Sequence, residues 1–405
     1  MTTKDFVIIG AGIVGLTIAR ELKHRYQDAT VLVLEKEREP GKHSSGRNSG
    51  VMHSGIYYTP DSLKAKVCRQ GALEMAAYHE QHGLRLDRRG KILIATQAQD
   101  DRQLDLLAER AKLNGIPVEM LDEQGIRECE PEAQSLNARA LWVPTTVVGT
   151  PAAVLKTLIM EIETLGVELR CNAEMQQVNQ ENRSIIINQG ESIAFGHAIN
   201  AAGLHADRVA HLFDVGRDYT LLPFKGIYWK LHPDSGLRIH HLIYPVPDLR
   251  VPFLGVHTTT TTDGVTYLGP TAVPALGREN YYGLQNISPG ELLRISILLG
   301  QQFMGGQDGF RRLAWQEGRR YFKHWFVEAA QAILPNLKPE HLLRTDKVGI
   351  RAQMLNTRTG RLVTDFLVEK GPHSTHILNA ISPAWTSAFP FARHVCDHFI
   401  CAGSA

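Results

Sequence analysis

A chain of 405 residues exceeds what one hydrophobic core ordinarily organises, so two domains are expected, and 43% apolar residues suffice to fill both. Lys plus Arg number 44 against 42 for Asp plus Glu, and a net charge of +2 excludes a nucleic-acid binder that lives on phosphate contacts. The cysteines Cys68, Cys129, Cys171, Cys396 and Cys401 are scattered with no C-x-x-C pair, which implies neither a disulfide framework nor a metal site and fits a reducing cytoplasm.

The chain begins almost at once with an apolar run, Phe6 to Ile9, so no secretory leader is expected. Nowhere do eighteen apolar residues follow one another, so no membrane span is expected, while peripheral attachment stays open. Phe6 to Ile9 reads as a strand, Ile13 to Leu22 has helical spacing, and Thr30 to Leu34 is β-branched and apolar, together a βαβ unit. Two helical stretches follow, roughly Ser62 to His82 and Asp101 to Asn114. Lys91 to Ala95, Ala140 to Val143, Gly226 to Leu231 and Leu242 to Val246 are short runs separated by turn chemistry, as in an antiparallel sheet with one covered face. Asp263-Gly264, between Phe253 to Thr262 and Val265 to Leu268, is a hairpin signal. Buried-looking strands recur at His197 to Asn200 and Thr375 to Leu378.

The expected fold is therefore α/β with an α+β second domain. A discontinuous dinucleotide-binding domain would comprise residues 1–85, 145–220 and 345–405, and an inserted antiparallel-sheet substrate domain residues 86–144 and 221–344.

Gly10-Ala11-Gly12-Ile13-Val14-Gly15 is G-x-G-x-x-G between a strand and a helix, and Glu35 ends the next strand twenty residues after Gly15. In that context Gly10 permits the tight turn, Gly12 lets backbone approach a pyrophosphate, and Gly15 lets helix pack on strand. The N–H groups of Ile13 and Val14 at the helix start would hold phosphate, and Glu35 would accept hydrogen bonds from an adenosine ribose. Lys36 and the Gly/Ser/Asn-rich loop from Gly41 to Gly55 follow directly, which suits FAD with the loop beside its ring system. Asn200-Ala201-Ala202-Gly203 ends a strand in small residues, where backbone can approach a ligand closely; a plain strand-to-helix turn is the other reading.

Four segments carry a resemblance: Arg47-Asn48-Ser49-Gly50-Val51-Met52-His53-Ser54-Gly55-Ile56-Tyr57-Tyr58, Leu242-Ile243-Tyr244-Pro245-Val246-Pro247, Phe253-Leu254-Gly255-Val256-His257 and Gly349-Ile350-Arg351-Ala352-Gln353. In this order they resemble the L-2-hydroxyglutarate dehydrogenase/oxidase family, within the D-amino-acid-oxidase-like flavoproteins. The resemblance implies a p-hydroxybenzoate-hydroxylase-like architecture, bound FAD, and oxidation of L-2-hydroxyglutarate to 2-oxoglutarate. It also implies electrons passed to quinone or oxygen, in a cytoplasmic protein that meets the inner membrane at most peripherally. The implied cofactor contacts add Ser45, Arg47, Asn48, Ser49, Gly50, Met175, Ala202, Gly203, Gly349, Arg351, Pro383, Ala384 and Thr386 to the glycine corner. Arg47 stands where the family has His, and Trp385 where it has a small residue.

Oxidising a 2-hydroxy acid needs a base for the hydroxyl proton and cations for carboxylate. His53 and His257 are the candidate bases, His53 narrowly preferred, because imidazole titrates near neutral pH; either could instead be a packed core histidine. Arg351 is the candidate carboxylate clamp, with a surface ion pair as the alternative. Lys225, Tyr244, Tyr57 and Trp385 complete the candidate substrate contacts. Ser382-Pro383 reads as the start of a helix whose dipole would face a reduced flavin.

Phe310 to Phe326 places six basic side chains, His324 included, among aromatics with one acid. It reads either as an amphipathic helix covering the substrate domain or as a contact with an anionic membrane. Two other functions fit the same residues: an amino-acid or amine oxidase of the same fold, and a flavin-bearing sensor that turns nothing over.

Overall fold

A computed structural model describes residues 2–188, 190–250, 253–306 and 309–400. Cys401 lies outside the described residues. The chain divides into two compact units. The first comprises residues 1–48, 151–223 and 351–405; the second comprises residues 49–150 and 224–350.

The first unit is built on an eight-stranded sheet. Strand Thr2–Ile9 lies at its centre, parallel to Val31–Leu34 on one side and to Ser192–Asn200 on the other. Val31–Leu34 is buried along its whole length, so it reads as a continuous apolar run rather than an alternating one. The free edge of Ser192–Asn200 is shared: its first half pairs antiparallel with Ser184–Ile187, its last three residues parallel with Ser374–Asn379. Helix Ile13–Arg25 packs against the helices Pro151–Thr164 and Ala388–Phe399. Each fully buried Ile or Leu in these elements contributes roughly 1.5–3 kcal/mol of burial.

Expected and observed elements agree here within a few residues, with one exception. Residues 382–387 form turns, closed by Ala384 N–H to the Ile381 carbonyl and Ser387 N–H to the Pro383 carbonyl, each 2.9 Å. The helix begins only at Ala388, so Pro383 is not its first residue. Proline at a helix start and proline in a turn carry the same sequence signature.

The second unit contains a four-stranded sheet in the order Leu242–Pro245, Lys91–Ile94, Ala140–Val143, Glu119–Leu121. Its first pair is parallel and the others antiparallel, so the expectation of a purely antiparallel sheet is corrected for Leu242–Pro245. The long connection between residues 94 and 242 permits the parallel pairing, which no local turn signal encodes. A five-stranded sheet holds Phe224–Leu231, His257–Thr260, Thr266–Gly269, Val273–Pro274 and Leu342–Arg351. The Asp263-Gly264 hairpin is present, with Gly264 at φ +84°, but its first strand starts at His257 rather than Phe253.

Residues 49–85, expected with the dinucleotide-binding domain, belong to the second unit. Val51–Met52 pairs with Val147–Gly149, which also pairs with Leu86–Asp87. Ile56 and Tyr57 join the buried cluster around Leu93 and Tyr244.

The stretch Phe310 to Phe326 is two helices, Phe310–Arg319 and Lys323–Gln331, with Phe322 extended between them. Phe310 and Glu317 are the buried residues of the first; Phe326, Val327 and Ala330 those of the second. One straight helix could not bury both sets.

Candidate active site

In the first unit the glycine corner is enforced by close approach. Gly10 has φ +108°, and a Cβ on it would lie 2.5 Å from the Ala201 carbonyl oxygen and 3.1 Å from Ala202 Cα. A Cβ on Gly15 would lie 2.0 Å from the Gly10 carbonyl oxygen. These contacts seat the helix start directly on the strand ends, as the two expected roles require. The N-A-A-G turn is tied by Asn200, whose side-chain amide donates to the Ala206 carbonyl at 2.7 Å and whose oxygen accepts from Ala202 N–H at 3.1 Å. The segment is therefore a strand-to-helix turn, and it abuts Gly10.

Glu35 is buried, and its two carboxylate oxygens accept from Ala11 N–H and Glu37 N–H, 3.0 Å each. A carboxylate retains lone pairs after one bond per oxygen, so Glu35 can accept further donors. Ser45 reaches the helix start, accepting from Ile13 N–H at 2.9 Å. Lys36 pairs with Glu37, and Arg47 donates to the Lys42 carbonyl at 3.1 Å. Met175 lies in the cluster of Val7, Ile9 and Leu34, with Ala202 packed against it. Pro383, Ala384, Trp385 and Thr386 are buried in the turns before helix Ala388–Phe399. Two buried polar atoms there, Trp385 Nε1 and Ser387 Oγ, have no partner among the described residues, and neither has Gln353 Oε1. A cradle that tolerates no Cβ, together with unsatisfied donors and acceptors in the same unit, fits a dinucleotide that brings its own polar atoms. Arg351 is half-buried and ends strand Leu342–Arg351, after Gly349.

The second unit holds Ser49, Gly50, His53, Tyr57, Lys225, Tyr244, His257 and Gly349 of the expected set. The loop after Val51–Met52 is clamped from helix Asp100–Leu113 and its end. Arg110 donates to the Tyr57 carbonyl at 2.7 Å, and Asn114 to the Tyr58 carbonyl at 3.1 Å. Gly50 has φ +82° and its carbonyl accepts from Gly149 N–H at 2.9 Å. The His53 carbonyl accepts from Cys68 Sγ at 3.2 Å.

Strand His257–Thr260 is fixed to Leu242–Pro245 by Ile243 N–H donating to Thr258 Oγ1 at 2.8 Å. This sets the Tyr244 ring on the His257 imidazole, centroids 3.8 Å apart at 18°. His257 Nδ1 lies 2.8 Å from the Gly255 carbonyl oxygen. A carbonyl only accepts, so Nδ1 carries the proton and a neutral His257 presents Nε2 as its basic atom. Burial raises the phenols of Tyr57 and Tyr244 above their ordinary range, so both remain donors. Lys225 donates to Asn280 Oδ1 at 3.0 Å, and burial lowers its ammonium below the usual lysine range.

One residue of this cluster escapes motif reading. Lys91 is fully buried, with Nζ 4.6 Å from the Tyr57 ring centroid and 5.2 Å from that of Tyr244. The available signal is pattern: Lys91 shares the inward face with Leu93 in a strand that reads K-I-L-I.

Residues 5–398 match the family DAO, FAD dependent oxidoreductase. The chain is 35% identical to the L-2-hydroxyglutarate dehydrogenase of Escherichia coli K12, with 96% of this chain and 92% of that protein covered. It is 34% identical to the mitochondrial L-2-hydroxyglutarate dehydrogenase of Homo sapiens, with 97% and 88% covered. The chain belongs to the L-2-hydroxyglutarate dehydrogenase family of FAD-dependent oxidoreductases.

The family's fold is also that of solved flavoenzymes. An FAD-bound L-α-glycerophosphate oxidase of Mycoplasma pneumoniae superposes with a TM-score of 0.75 at 21% identity, covering 97% of this chain and 94% of its own. A glycine oxidase of Geobacillus kaustophilus superposes at 0.71 and 16% identity, covering 98% and 94%. These likenesses concern the fold, which bears out the expected class and the FAD-binding architecture.

Proposed function

We propose that this protein oxidises L-2-hydroxyglutarate to 2-oxoglutarate and passes the electrons to quinone or oxygen. The observation that carries this reading is identity of 34–35% to L-2-hydroxyglutarate dehydrogenases over nearly the whole chain. The glycine corner, Glu35, Ser45, Ala202 and the 383–387 turns would hold FAD. Bound FAD supplies the two-electron acceptor for the hydride leaving the substrate's Cα.

The chain's own residues supply the rest. His257 Nε2 is the base for the hydroxyl proton, because its tautomer is set by Gly255 and its ring is held flat on Tyr244. His53, narrowly preferred on sequence, remains the second candidate. Arg351 would bind a carboxylate with two parallel N–H bonds, and within the second unit Lys225, Tyr57 and Tyr244 would donate to an anionic substrate. Anaerobic mixing with L-2-hydroxyglutarate should bleach the flavin, while its D isomer and a panel of amino acids should not. Bleaching by amino acids alone would make the protein an amino-acid oxidase, and bleaching by nothing a sensor.

Delivery of electrons to quinone places part of the protein at a membrane surface. No described helix is long and apolar enough to cross a membrane. Peripheral contact is supported by Phe303, Met304, Trp315, Tyr321 and Phe322, each at least half exposed, beside Arg311 and Arg319. Four of the basic groups in this stretch also bind the protein itself: Arg311 the Phe303 carbonyl, Arg312 Asp248, Arg320 Glu317, and Lys323 the Leu342 carbonyl. The exposed aromatics therefore carry most of the argument.

A further inference from the structure

Several charges buried among the described residues of the second unit have partners. Arg278 and Arg294 both bond Glu291, at 3.1 Å and 2.6 Å. Glu130 accepts from the His240 and His241 N–H groups, and Glu317 from Ala272 N–H and Arg320. Lys91 differs from these. It is wholly buried, and among the described residues its Nζ has neither a hydrogen-bond acceptor nor a carboxylate. The hydroxyl of Tyr57, whose ring it overlies, is likewise buried and has no partner among the described residues.

Leu or Met could occupy this position against Leu93, Leu141, Val143 and Leu242 with no desolvation of charge. An unpaired ammonium there is costly unless an anion arrives to answer it. The wall on which it sits is the one that carries Tyr57, Tyr244 and the His257 imidazole.

We propose that Lys91 is a positioning residue for the anionic substrate: its ammonium, held behind the Tyr57 and Tyr244 rings, is the charge that a substrate carboxylate compensates. The proposal rests on the reading of those tyrosines and His257 as the substrate wall. A cation against a phenol ring draws electron density from it, so the Tyr57 and Tyr244 hydroxyls become stronger donors toward a carboxylate. Attraction between ammonium and carboxylate across this apolar cluster is weakly screened, so it acts without direct contact. Burial pushes the Lys91 ammonium down to about 7, and the other titratable groups facing it are Tyr57, Tyr244 and Cys68. At pH 8 the lysine is then largely neutral in the free enzyme, and a bound carboxylate raises its proton affinity. Dicarboxylate binding should draw a proton from solution.

The test titrates the FAD-loaded enzyme with glutarate, an unreactive dicarboxylate, by calorimetry at pH 8 in buffers of different ionisation heat. Wild type should take up a proton on binding and bind more weakly as pH rises from 6 to 9. Lys91→Met should lose that uptake, bind glutarate about tenfold more weakly, and raise KM for L-2-hydroxyglutarate more than it lowers kcat. Lys91→Arg should restore affinity while binding without the proton uptake. Unchanged affinity and uptake in a Lys91→Met enzyme with a native flavin spectrum overturns the proposal. If that variant does not fold, wild type alone decides, because a glutarate affinity that is flat from pH 6 to 9, or no glutarate binding at all, overturns it equally. Bleaching by L-2-hydroxyglutarate without proton uptake defeats Lys91 alone, whereas uptake without bleaching defeats the proposed reaction and leaves Lys91 as a dicarboxylate determinant.

Discussion

At Gly10 one methyl group would break the glycine corner twice over. Its φ of +108° is a conformation that L side chains rarely adopt, and the added carbon would meet the Ala201 carbonyl at 2.5 Å. Gly10→Ala should therefore cost about 1–3 kcal/mol in backbone strain before the clash is counted. The purified variant should be colourless or nearly so; a full flavin spectrum would refute the assignment. His257 makes a different demand, since its ring is oriented by Tyr244 and its proton placed by Gly255. His257→Ala should slow flavin reduction by L-2-hydroxyglutarate about 10²–10⁴-fold in rapid mixing, while leaving the oxidised flavin spectrum intact. If His53→Ala is slowed to that extent and His257→Ala is not, the roles of the two histidines are exchanged. Motif reading supplies both histidines but not the choice between them, because a tautomer is set by a neighbour's carbonyl rather than by a residue type.

Among the elements, the helix pair Phe310–Arg319 and Lys323–Gln331 shows where linear patterning stops. A run of aromatic and basic residues cannot say which aromatics the fold takes inside. Here Phe310 and Phe326 are buried, while Trp315 is 67% and Phe322 64% exposed. If these exposed rings meet a lipid surface, Trp315→Ser combined with Phe322→Ser should reduce co-sedimentation with anionic phosphatidylglycerol vesicles several-fold. Turnover with a water-soluble acceptor should stay unchanged. Equal sedimentation of variant and wild type would remove these rings from any membrane contact. The strand Leu242–Pro245 teaches a similar lesson. Its residues mark it as buried, yet only the distant strand Lys91–Ile94 decides that it runs parallel.

Across the whole molecule, burial of ionisable groups links stability to pH. His197 and His376 are pushed down to about 4, chiefly by burial and then by neighbouring charge, His373 and Lys370 for His197 and His197 itself for His376. An unfolded histidine titrates near 6.5, so between about 6.5 and 4 the unfolded chain binds more protons than the folded one. The stability these two residues confer is complete above that window and is lost as pH falls through it. Glu130 and Glu369, raised by burial, act in the opposite sense. The Tm should fall between pH 7 and pH 4.5, and His376→Gln should make that fall shallower. An equally steep fall in His376→Gln would show that His376 contributes no part of it.

The sequence by itself determined the glycine corner, the family and the main strands. Glycine spacing, apolar runs and an acid at a strand end are features that a short stretch of sequence shows by itself. It also named most of the residues proposed for the site. Only the tertiary structure decided that residues 49–85 join the second unit, that His257 has a fixed tautomer, and that Lys91 is buried with no answering charge among the described residues. Each of these depends on what lies across a strand pair or a loop closure, and such contacts join residues far apart in the chain that no local pattern relates.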